Sequence, residues 1–98
     1  MKAANDNRSK WEEFHKSNPE VYTLIKHFTF KAINAGRKHY GIQTILELVR
    51  WHTGVETKGD ALKINNNHGA FYARLFMQDY PEYDGFFRTR FHKRGEAA

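Results

Sequence analysis

The chain has 98 residues, a formal net charge of +5 at pH 7 and no cysteine. Its length fits one domain near the lower size at which a single apolar core suffices, and 15% aromatic content supplies rings to build it. The missing thiols exclude a disulfide framework and thiolate metal sites. No apolar run approaches the ~18 residues of a membrane span, and "MKAANDNRSK" is too polar for a signal peptide, so the expectation is a soluble cytoplasmic protein with no membrane partner.

Residues 1–8 read as a flexible polar N-terminus. Ser9 and Glu12 in "SKWE" have capping-box spacing, which predicts a short helix anchored by Trp11 and Phe14. "SNPE" predicts a second helix start, with Asn18 as cap, Pro19 at the first helical position and Glu20 suited to the helix dipole. Val21, Leu24, Ile25, Phe28 and Ala32 carry that helix to about Ala35, and Gly36 is its C-terminal signal. Lys31, Arg37, Lys38 and His39 gather at this end, where cations suit exposed carbonyls.

"GIQTILELVRWHTG" carries the clearest helical pattern: Ile42, Ile45, Leu46 and Val49 form a stripe, Leu48 and Trp51 widen it, and Gly54 ends it. "VETKGDALKI" fits a short β-hairpin near residues 55–64 or an extended loop. A further helix starts within the asparagines of "INNNHGAFYAR" and ends near Tyr80, before Pro81. "PEYDGFF" predicts one more turn, broken at Gly85.

The asparagine stretch holds the most specific candidates. With Asn67 as cap, an advance of about 100° per residue puts Arg74 and Gln78 on its line, a narrow polar stripe on an otherwise apolar helix. A mostly buried helix carries Arg only when the guanidinium is paired or aimed at a ligand. In one reading Asn65 and Asn66 lock a turn, while Arg74 pairs with Glu47 or Asp79. In the other, Asn65, Asn66, Asn67 and His68 face a phosphate or base edge together with Lys63, Arg74 and Gln78. The tail "FFRTRFHKR" interleaves aromatics with Arg88, Arg90, Lys93 and Arg94, a composition that single-strand or backbone binding uses. With the tail included, basic charge is even between the halves of the chain, eight Lys and Arg in each.

Six histidines are scattered without a metal-ligand spacing, and no phosphate-binding glycine loop or nucleophile elbow occurs. The expectation is therefore no enzyme activity and no cofactor. Taken together, "RKHYG", "RWHTGVETKGDALKINNNHGAFYARLF", "YPEYDGFF" and "RTR" resemble a small family of uncharacterised proteins common in phages and prophages, over about residues 11–92. That resemblance implies a bacterial host cell and two roles: a DNA-binding accessory or regulatory protein, or an inhibitor of a host defence or nucleic-acid enzyme.

The sequence thus predicts a mainly α-helical bundle of four to five helices over residues 9–92, with 93–98 a flexible end. The helices at 42–53 and 67–80 are candidates for a helix-turn-helix-like crossing, although their roughly dozen-residue connection exceeds the usual ~3–4-residue turn. The leading function is non-enzymatic nucleic-acid binding, DNA favoured, through Lys63, Asn65, Asn66, Asn67, His68, Arg74, Gln78, Arg88, Arg90, Lys93 and Arg94. The alternative is a protein-interaction module with a host protein as partner. A nuclease accessory role ranks third.

Overall fold

Four α-helices carry the fold: α1 (Lys2–Ser17), α2 (Pro19–Asn34), α3 (Ile42–Trp51) and α4 (Gly69–Asp79). The computed structural model describes residues 2–56 and 64–88, and among these there is no β-strand. The mainly α reading of the sequence therefore holds.

α1 begins at Lys2 and runs through Ser9, so the expected helix start at Ser9 and the polar segment before it are corrected. The i,i+4 pair Arg8–Glu12, at 3.3 Å, bridges the two turns around Ser9. Asn18 separates α1 from α2, but its side chain does not cap α2. Its amide instead donates backwards to the Phe14 carbonyl at 3.1 Å, satisfying the end of α1. Pro19, which needs no N–H partner, opens α2 as the sequence predicts.

α2 ends in a Schellman motif. Gly36 takes φ +96, the Gly36 amide donates to Ile33 and the Arg37 amide reaches back to Ala32. The buried face of α2 is Val21, Tyr22, Ile25 and Thr29, while Leu24, Phe28 and Ala32 pack half-exposed at its margin. The predicted apolar stripe is thus rotated, because Tyr22 turns inward, where its hydroxyl can donate to Asp79 at 2.7 Å. Burial, reinforced by that carboxylate, holds the Tyr22 hydroxyl well above the usual phenol range and keeps it protonated.

α3 buries Ile42, Ile45, Leu46 and Val49, the stripe read from its sequence. Trp51 is not part of that face and stands 57% exposed. Gly54 does not end the helix either: it lies inside a π-helical turn, His52–Glu56, that continues from Trp51. The expected hairpin near 55–64 is not observed, since 55–56 complete that turn and 57–63 lie outside the described residues. α4 packs its first residue directly on α3. A Cβ at Gly69 would lie 2.8 Å from the Gln43 side-chain amide, which would have to move aside, and 3.4 Å from both Ile42 and Leu46, so glycine gives the closest approach of the two helices. Residues 52–68 connect the two helices, far longer than a helix-turn-helix turn.

Trp11 joins α1 to the core through near-parallel contacts with His15 and Phe71 and an edge contact with Tyr72. At the opposite end, Phe76 meets Phe30, Tyr80, Tyr83 and Phe87. After the short 3-10 turn Pro81–Tyr83 and Gly85 at φ +90, Phe86 and Phe87 enter the core. They bring the chain alongside Tyr40 in an isolated parallel bridge.

Candidate nucleic-acid interface

The asparagine loop is fastened by α3. Arg50 donates at 2.6 Å to the Ile64 carbonyl and at 2.6 Å to Asn66 Oδ1, while Glu47 holds the same guanidinium at 3.0 Å. Gln43 donates to the Asn66 carbonyl at 3.2 Å. The helix cap is Asn65, not Asn67: its Oδ1 accepts from the Asn67 amide at 2.8 Å and opens a 3-10 turn, Asn66–His68. Two of the three asparagines are thereby engaged within the fold, and Asn67 presents an exposed side chain.

His68 turns inward. It is 6% exposed, its ring packs 5.6 Å from that of Phe14, and its buried Nδ1 has no hydrogen-bond partner. Burial lowers its pKa and favours the neutral ring. A neutral, buried imidazole is a poor contact for a phosphate on the surface.

The stripe expected from Asn67 through Arg74 to Gln78 divides. Asn67 sits exposed in the 3-10 turn and is not among the residues that line the groove holding the other two. Arg74 and Gln78 instead line a groove of about 770 Å³ with Arg8, Trp11, Lys16 and Phe71. The Arg74 guanidinium lies 5.1 Å from the centre of the Phe71 ring. Of the two carboxylates expected near Arg74, Glu47 pairs with Arg50 and Asp79 accepts from the Tyr22 hydroxyl. Burial, and then the charge of Arg8, lowers the Arg74 pKa below its usual value.

A second basic surface forms where the chain returns to α2. The Tyr40 amide donates to Phe86 at 3.1 Å, and His39 Nδ1 lies 3.4 Å from the Gly85 carbonyl. The bridge Tyr40↔Phe87 is parallel, so exposed Arg88 emerges beside Gly41 at the start of α3. Arg37 and Lys38, also exposed, lie just before the bridged Tyr40, with Arg37 over the Tyr40 ring at 6.0 Å. Lys63, Arg90, Lys93 and Arg94 lie outside the described residues.

Sequence reasoning missed Arg8 and Lys16 as partners of Arg74. Their i,i+8 spacing beside Trp11 and His15 was the available signal, but a helix start placed at Ser9 separated Arg8 from that face. It also assigned Arg37 and Lys38 only to the end of α2, because a single long-range bridge leaves no periodic trace. Among the described residues no three His, Asp or Glu converge as a metal site, and no helix is long and apolar enough to cross a membrane. No family model, curated protein or solved structure matches the chain.

Proposed function

We propose that this protein is a non-enzymatic nucleic-acid-binding protein, DNA being the favoured partner, in a phage accessory or regulatory role. The observation that carries the reading is the bridge between Tyr40 and Phe87. It brings Arg88 beside Gly41, a few residues along the chain from exposed Arg37 and Lys38, and from Arg88 the sequence continues through Arg90, Lys93 and Arg94. Two basic segments separated in sequence thus share one root, at the exposed end of α2 and the start of α3. Acidic Glu82 and Asp84 border this surface in the preceding turn, which limits it to one side. Clustered cations of this kind neutralise backbone phosphates and release counterions.

The test is fluorescence anisotropy with duplex and single-stranded DNA at two salt concentrations. Wild-type affinity should fall steeply with salt, and Arg37→Gln/Lys38→Gln/Arg88→Gln should weaken binding to all duplex sequences alike. Its salt slope should flatten by about 0.9 for each lost phosphate contact. The three positions are exposed, so thermal melting should be little changed. If the wild type binds no DNA or RNA even at low salt, the reading fails, and an acidic protein becomes the better partner for the basic surface.

A further inference from the structure

The groove between α1 and α4 combines stacked aromatic rings with a cluster of cations. Trp11 and Phe71 stack at 5.4 Å with planes 17° apart, and His15 lies parallel to Trp11 at 5.5 Å. Above Phe71 sits the Arg74 guanidinium, itself a flat cation on which a base can stack. Arg8 and Lys16 stand two helical turns apart on α1, about 12 Å along its axis, enough for more than one phosphate contact. Of the described charged side chains lining the groove, three are cations (Arg8, Lys16 and Arg74) and one, Glu12, is a carboxylate. Glu12 pairs with Arg8 only at the surface, where both side chains are more than half exposed, so an incoming phosphate can compete for that guanidinium.

We propose that this groove binds unpaired nucleotides of a single strand, with bases against the Phe71–Arg74 wall and phosphates at Arg8, Lys16 and Arg74. The inference rests on the nucleic-acid reading above and names the form of the ligand. A duplex keeps its bases stacked inside and offers an aromatic wall little, whereas a single strand exposes both the ring faces and the charge. Gln78, at the rim of the same groove, supplies a neutral donor and acceptor for a base edge.

The chain has two tryptophans, and Trp51 is 57% exposed outside the groove. In a Trp51→Phe background, emission therefore reports Trp11 alone. Titration with an oligo-deoxythymidylate of about five nucleotides, near the lower site size of single-strand binders, should quench it saturably at low salt. Adding Arg8→Gln and Lys16→Gln, both surface changes, should weaken that binding tenfold or more and flatten the salt slope by about 1.4, at ~0.7 per contact. Thymidine 5′-monophosphate should bind far more weakly than the oligomer. Equal affinity for the mononucleotide would overturn the single-strand occupant. The proposal is also overturned if duplex binding is normal but the oligomer leaves Trp11 emission unchanged. Oligomer binding that survives the Arg8/Lys16 double change yet disappears in Arg37→Gln/Lys38→Gln/Arg88→Gln would refute it as well. Loss of all nucleic-acid binding in the wild type would refute both readings together.

Discussion

Phe76→Ala tests how the aromatic end of the core is built. Phe76 is 0% exposed and its ring lies 5.4 Å from Phe30, 5.0 Å from Tyr80, 6.3 Å from Tyr83 and 5.7 Å from Phe87. Burial and the cavity left behind set a cost of about 3–5 kcal/mol. The edge-on contacts with Phe30 and Phe87 favour the upper part of that range, at ~0.5–1.5 kcal/mol for each such pair. A domain of this size has a total stability on the order of 5–15 kcal/mol, so the loss is a third or more of a typical value. The melting temperature should fall by roughly 12–40 °C, at about 4–8 °C per kcal/mol. Because Phe87 loses a ring beneath the Tyr40 bridge, DNA affinity should drop even at temperatures where the variant remains folded. The assay is urea unfolding followed by circular dichroism, beside Leu75→Ala as a half-buried neighbour on the same helix. An unchanged midpoint, or equal losses at positions 75 and 76, would refute the assignment of the α4 core face.

The asparagine loop and His68 give two further tests. Asn65→Ala should cost about 1 kcal/mol through loss of its cap on the Asn67 amide, whereas Asn67→Ala should stay within about 0.5 kcal/mol; equal thermal shifts would mean that the cap is misassigned. His68 has its pKa lowered by burial in the folded state, so the unfolded chain binds the proton more readily. Its contribution is complete well above the ordinary histidine value of 6.5 and is lost as pH falls through that value towards the lower folded pKa. Unfolding midpoints should therefore decline between about pH 7 and pH 5, and His68→Gln should flatten the decline; identical pH profiles would count against a buried neutral imidazole.

The sequence by itself determined the helices, because local chemistry encodes them. Ile42, Ile45, Leu46 and Val49 repeat at helical spacing, Pro19 opens α2, Gly36 closes it, and Pro81 stops α4. The family resemblance and the nucleic-acid role stay separate from that result, resting on motifs and charge. Tertiary structure decided which faces turn inward. Tyr22 is buried on α2 with a hydroxyl partner 57 positions away, and Gly69 packs closely against Ile42, Gln43 and Leu46 of α3. It also settled how the asparagines divide, since Arg50 and Gln43 reach Asn66 from another helix. Likewise, the groove gathers Arg8 and Arg74, and the bridge joins Tyr40 to Phe87, across distances in sequence that no local periodicity records. Helical spacing is a property of neighbours along the chain; a shared surface depends on how the helices dock, and here docking depends on rings meeting across the core.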